Sequence, residues 1–196
     1  MNQIDNIINT LKNGGTVLVP TDTVYGLLAL PSNPASVARI YQVKQRPLEM
    51  KLPIALPVEF DLSDLGINSN PAIDAFLASR YMPGAISIIA EIDNSQSPDW
   101  LADREEIAFR IPDNKLLLDL LSKTGPLLMT SANIHGKPTE KTMEKVLAQL
   151  EIEPDLCIDG GERQEVPSTI VNCTNTPPSI QREGVVSEQV ISRIYK

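Results

Sequence analysis

Apolar residues recur along the chain with two periods, and each stretch of one period predicts an element. Ile4, Ile7, Ile8 and Leu11 fall at i, i+3, i+4 and i+7, the stripe of an amphipathic helix, and Gly14-Gly15 ends it. Val17-Leu-Val19 is an unbroken apolar run and predicts a buried strand. Pro20 stops that strand because it has no N–H for a ladder, and Thr21, Asp22 and Thr23 follow at once. Asn33-Pro34 predicts a helix start, with Asn as cap and Pro in the first turn. Val37, Ile40 and Tyr41 are its expected buried stripe, and Lys44 lies at its C-terminal end.

Leu52 to Val58 predicts a strand that Pro53 and Pro57 make irregular or confine to an edge. Asp61 to Arg80 reads as helical with a break near Gly66 to Pro71. Further strands are expected at Ala85–Ile92, Ile107–Pro112, Leu127–Met129, Leu156–Ile158, Pro167–Val171 and Ser179–Gln181. Helices are expected at Leu116–Leu121, from a Thr139 cap to Leu150, and at Val185–Tyr195. Asn94 to Asp103 is a polar loop carrying the only Trp, Trp100. The alternation predicts an α/β fold in a single domain over residues 1–196.

Composition narrows the function. The chain is 42% hydrophobic, enough for a core, and no run approaches the roughly 18 apolar residues of a membrane span. The first residues lack the basic and apolar regions of a signal peptide, so no membrane role and a cytoplasmic location are expected. Cys157 and Cys173 have no metal-ligand spacing and are expected as free buried thiols. Net charge is −8, from 17 Lys+Arg against 25 Asp+Glu, which argues against non-specific binding to a long nucleic acid. A small anion is still allowed, given a local cluster of cations.

Several strands run straight into hydroxyls, amides or guanidinium groups. These are Thr21 and Thr23 after the first strand, Ser131 and Asn133 after Leu127–Met129, Ser168 ahead of Thr169–Val171, and Ser87 within Ala85–Ile92. Lys44, Arg46 and Lys51 bracket Pro47; they either complement a helix C-terminus or clamp a phosphate. Arg110 sits between apolar Phe109 and Ile111, and a buried Arg needs an anion, either an internal carboxylate or one on a substrate. Arg182 follows the last strand. His135, the only histidine, receives no role. No nucleophile or general base stands out. Such a site suits chemistry in which both reacting groups belong to substrates, as in phosphoryl or nucleotidyl transfer. Neither GxxxxGK[ST] nor GxGxxG is present.

Pro-Thr-Asp-Thr-Val-Tyr-Gly-Leu (20–27), Lys-Gln-Arg-Pro (44–47), Phe-Arg-Ile-Pro (109–112), Thr-Ser-Ala-Asn (130–133), Ser-Thr-Ile-Val (168–171) and Gln-Arg-Glu-Gly (181–184) together resemble, in order, the motif series of the YrdC-like threonylcarbamoyl-AMP synthases. The resemblance implies a twisted, open mixed sheet flanked by helices, with a large central cationic cavity. It implies a nucleotidyltransferase that makes threonylcarbamoyl-AMP and pyrophosphate from L-threonine, bicarbonate and ATP, with Mg²⁺, for the t6A modification of tRNA. Lys44, Arg46, Asn133 and Arg182 would then hold ATP, and Thr21, Arg110, Ser131 and Ser168 would hold threonine, with Thr23, Lys51 and Ser87 as further contacts. Other proteins of the t6A pathway would be partners, and direct contact with tRNA would be weak. Ser87 stands where many members carry Thr, and Leu56 where many carry His. A divergent relative that binds RNA, or that hands the carbamoyl group to another acceptor, is the alternative.

Overall fold

The computed structural model describes residues 2–195. One nine-stranded mixed sheet organises them. Its strands are β1 (Val17–Pro20), β2 (Tyr25–Ala29), β3 (Ile54–Ala55), β4 (Ile86–Glu91), β5 (Glu106–Arg110), β6 (Leu127–Ser131), β7 (Leu156–Cys157), β8 (Thr169–Asn172) and β9 (Ser179–Arg182). The spatial order is β7-β1-β2-β6-β3-β5-β4-β8-β9. Parallel pairs (β1/β7, β3/β5, β4/β8) are mixed with antiparallel ones (β1/β2, β2/β6, β3/β6, β4/β5, β8/β9). The helices are α1 (Gln3–Lys12), α2 (Pro34–Lys44), α3 (Pro71–Leu77), α4 (Lys115–Thr124), α5 (Met143–Gln149) and α6 (Glu188–Ile194).

The central strands are apolar throughout because both faces are covered. Val17 and Val19 pack with α1 and α4 through Ile7, Leu11, Leu117, Leu120 and Leu121. Leu18, between them, points to the other face, where Ile40, Val43, Phe76, Val146 and Ile191 gather. Leu127 and Met129 split from Leu128 in the same way, as the two-residue period of a strand requires. Burying each such side chain contributes about 1.5–3 kcal/mol. Among the described residues no helix is long and apolar enough to cross a membrane.

Several expectations are corrected. The first strand does not lead into an open loop: the chain turns through Thr21–Val24 and returns as β2, a strand absent from the sequence reading. The Leu52–Val58 segment is no edge strand; β3 is two residues long but lies mid-sheet, between β6 and β5. On α2 the buried positions are Ser36, Ile40, Val43 and Lys44, so the stripe is rotated from Val37/Ile40/Tyr41 and takes Lys44 inward. Thr142, not Thr139, caps α5; the Thr139 hydroxyl donates to Glu165 O instead (2.7 Å). Cys173 is buried but Cys157 only partly so. Leu56 is fully buried in the core, and its N–H donates to Arg110 O (2.9 Å).

Candidate functional site

The β1–β2 turn is held by its own hydroxyls. Thr21 Oγ1 donates to Val24 O (2.6 Å) and accepts from the Thr23 N–H (3.0 Å). Its single proton being committed there, the 3.1 Å contact with Thr23 Oγ1 has Thr23 as donor. Thr21 therefore shapes the turn. Arg110, at the end of β5, reaches into it: Nη1 donates to Thr23 Oγ1 (3.1 Å), Nε to Gly84 O (2.7 Å) and Nη2 to Asp22 Oδ2 (2.6 Å). The anion left open by the sequence is thus the internal Asp22, whose side chain is 14% exposed against 7% for Arg110. Burial lowers the Arg110 pKa, and Asp22 works against that shift. These bonds use three of the guanidinium's five N–H groups, and Arg110 is in the lining of the cavity described below.

Lys44 and Arg46 part company although they share a helix end. Lys44 is 2% exposed, and its Nζ donates to Ser131 O, Asn133 O (2.8 Å) and Asn133 Oδ1 (3.1 Å). Three N–H groups meet three acceptors, with no carboxylate among them. Burial, with Arg46 nearby, lowers its pKa to about 7. Gln45 turns the chain in the left-handed conformation (φ 49°), so Arg46 leaves in another direction. Among the described residues the Arg46 guanidinium donates to carbonyls of its own loop alone, Met50 O (2.9 Å) and Lys51 O (3.1 Å). Across the sheet, Ser87 Oγ and Ser168 Oγ lie 2.9 Å apart, and Arg182 donates through Nη2 to Ser168 O (2.9 Å). Burial and then Arg110 lower the Arg182 pKa, which marks two guanidinium groups sharing one neighbourhood.

These groups meet at one cavity of about 230 Å³. Thr21, Thr23, Ser131, Ser87 and Ser168 line it as hydroxyls; Arg46, Lys51, Arg110 and Arg182 line it as cations; no carboxylate is in its lining. Lys44, Asn133 and Leu56 are not in the lining: the first two stand behind Ser131, and Leu56 belongs to the core. The cavity is smaller than the large one that the resemblance implies. A larger hollow, about 660 Å³, lies at the far ends of β4 and β8, beside Asn70, Glu91, Asp93, Thr174 and Tyr195, and has no cation in its lining.

Two contributors were not foreseen. Tyr25 lines the cavity, and its hydroxyl sits between Asp159 Oδ1 (3.0 Å) and Gly161 O (2.8 Å) while accepting from Gly160 N–H (3.1 Å). The segment after β7 is also tied to the turn, by Gln164 N–H to Thr23 O (2.9 Å) and by Arg163 Nη1 to Thr21 O (3.4 Å). The Gly160-Gly161 pair was the available signal: Gly160 passes where a Cβ would meet the Pro20 ring, and Gly161 takes a left-handed φ of 72°.

The family model described as telomere recombination (Sua5/YciO/YrdC) matches residues 9–184. A threonylcarbamoyl-AMP synthase of Bacillus subtilis is 32% identical over 197 residues, covering 98% of this chain and 56% of that protein. The crystal structure of P. abyssi Sua5 complexed with L-threonine superposes with a TM-score of 0.85 at 28% identity, over 97% of this chain and 56% of that one. E. coli YciO superposes with a TM-score of 0.79 at 26% identity, over 96% and 92%. The chain therefore spans little more than half the length of the first two.

Proposed function

The chain belongs to the Sua5/YciO/YrdC family, and from that we propose that it is a threonylcarbamoyl-AMP synthase. It would join L-threonine, bicarbonate and ATP into threonylcarbamoyl-AMP and pyrophosphate, a nucleotidyl transfer that feeds t6A modification of tRNA. The observation that carries the reading is the cavity itself: four cations and a set of hydroxyls, brought from separate segments, with no carboxylate between them. Such a lining favours anionic ligands and supplies no nucleophile of its own.

In this reading the amine nitrogen of threonine bonds to the bicarbonate carbon as a carbon–oxygen bond breaks; water leaves, carrying an amine proton, and a carbamate results. A carbamate oxygen bonds to the α-phosphorus as the bond to the bridging oxygen breaks, and pyrophosphate leaves. Arg46, Lys51 and Arg182 offset charge on the phosphates, while Arg110 takes the threonine carboxylate with the N–H groups that Asp22, Thr23 and Gly84 leave free. Thr21 and Thr23 keep the turn that positions Arg110. Small-molecule pockets commonly measure about 300–1,000 Å³, so the observed cavity suits the amino acid and the reacting phosphates, with the nucleoside extending past Arg46 and Lys51. Mg²⁺ would come with the triphosphate as its counter-ion: among the described residues no group of acidic, His or Cys side chains is built to hold a metal.

The test is release of pyrophosphate from ATP by the purified protein. Release that needs both L-threonine and bicarbonate supports the reading. Release independent of threonine, or absent with folded protein and Mg²⁺, rejects it.

A further inference from the structure

The hollow of about 660 Å³ takes no part in the chemistry above. β4 and β8 are parallel neighbours, so the same two strands carry a hollow at each end. Ser87 and Ser168 stand at the cation-lined end, Glu91 and Thr174 at the other. At about 3.3 Å per residue along β4, Ser87 and Glu91 are roughly 13 Å apart, so the two hollows are distinct. The walls of the second are preformed. Asn70, the cap of α3, donates through Nδ2 to Cys173 O (3.0 Å) and ties that helix to the end of β8. Thr174 closes on Asn172 Oδ1 through its N–H (2.8 Å) and its hydroxyl (2.7 Å), and Pro177 and Pro178 stiffen the chain beyond. Tyr195 rests against Phe76 with ring centroids 5.9 Å apart.

Its charge is the reverse of that in the first cavity. Glu91 and Asp93 are in the lining, and a shallower hollow of about 330 Å³ continues from Glu91 and Thr174 to Glu105 and Glu106. Glu91 and Glu106 are partners in the β4/β5 register, and like charges directly opposite destabilise a strand pair. Among the described residues none of these acids makes an ion pair. Arg104, next to Glu105 in the chain, is 9% exposed and donates inward to Leu52 O (3.0 Å). Hydrogen bonds from Ser95 hold the Asp93 carboxyl below its ordinary pKa, so it stays ionised. A metal ion does not fit this charge: among the described residues no group of acidic, His or Cys side chains is placed to hold one. A protein partner does not fit either, because interface cores are apolar and no large exposed apolar side chain lines either hollow. The volume is that of a small-molecule pocket, about 300–1,000 Å³. We propose that the joined hollows bind a linear organic polycation of the polyamine class. Its ammonium groups meet Glu91, Asp93 and Glu106, and its methylene stems run along Ile92, Pro178 and the Tyr195 ring, whose face also attracts an ammonium.

Spermidine titrated into the isotope-labelled protein at low salt tests this. Backbone amide shifts should saturate and cluster at Glu91, Asp93, Thr174 and Tyr195. Shifts scattered over the other acidic surfaces would be a counter-ion atmosphere on a chain of net charge −8, and would overturn the site. Magnesium chloride at equal ionic strength should leave the clustered amides nearly in place; matching shifts would overturn the organic class. A lysine-rich peptide that binds there more tightly than spermidine would make the occupant a protein and overturn it too. Glu91→Gln should weaken spermidine about fivefold, the upper end for one exposed ion pair, while Glu144→Gln on α5 leaves it unchanged. Equal losses in the two variants would reject the site. Without any ligand, Glu91→Gln should unfold at a higher temperature than the wild type, because the repulsion from Glu106 is relieved. A lower midpoint would show that the Glu91 charge is already matched within the protein, and would overturn the inference.

Discussion

Arg110 and Asp22 meet at 2.6 Å, with Arg110 on the wall of the cationic cavity and Asp22 on the wall of the neighbouring hollow. Removing one member of a buried ion pair leaves an uncompensated charge and costs about 3–5 kcal/mol, whereas removing both costs less. Asp22→Ala should lower the unfolding free energy read from urea titration by an amount in that range. Asp22→Ala/Arg110→Met should recover part of it. A double variant less stable than Asp22→Ala would show that the pair is not the dominant partner of either ion.

Among the described residues Arg46 is matched only by two carbonyls of its own loop, so its truncation strands no buried anion among them. Arg46→Ala should weaken ATP by about 1.5–3 kcal/mol, the range for a charged hydrogen bond, with little change in thermal midpoint. Calorimetric titration checks it, and an unchanged ATP affinity would remove Arg46 from the phosphate site.

Lys44 makes stability depend on pH. Its pKa is lowered from 10.5 to about 7 by burial first and Arg46 second. The unfolded chain keeps this proton to higher pH than the folded protein does. Unfolding therefore takes up a proton between those values, and stability rises with pH across that window. Burial raises the Cys173 pKa from 9.0 to about 12, which acts in the opposite sense above 9. Urea midpoints should thus climb between about pH 7 and 8.5, and Lys44→Met should flatten that climb.

Gly184 presses on the cavity from behind. A Cβ there would lie 2.2 Å from Pro167 O and 2.5 Å from Ser168 C, both backbone. Gly184→Ala should cost about 1–3 kcal/mol as the chain shifts to make room. Because Ser168 lines the cavity, L-threonine titration should weaken as well. A stable variant with unchanged binding would show that this backbone yields without moving the hydroxyl.

Much of the candidate site was legible because most of its parts lie at strand ends, and a strand that breaks into hydroxyls advertises itself. Thr21, Ser131, Ser168 and Arg182 were singled out from such ends, Ser87 and Arg110 as polar groups set within apolar runs, and one cavity is lined by all six. What the sequence could not give was bonding direction. Lys44 and Arg46 look equivalent two residues apart; only the left-handed Gln45 between them sends one inward and the other to the cavity. Asp22 read as one of three polar turn residues until Arg110, 88 positions away, turned toward it. In the fold, β2 was missed because Tyr25-Gly-Leu-Leu-Ala follows a turn too short to separate two runs by pattern alone. The central place of β3 was missed because prolines at 53 and 57 carry an edge signal, whereas here they trim the strand to two residues without displacing it.

That trimmed strand divides the sheet into two banks. β7, β1, β2 and β6 stand on one side of Ile54–Ala55, and β5, β4, β8 and β9 on the other. Thr21 and Ser131 belong to the first bank, while Ser87, Arg110 and Arg182 belong to the second. A ligand that grips both at once would therefore act as a rivet across a seam that the backbone itself stitches with only two residues of β3, so binding should stiffen the join between the half-sheets.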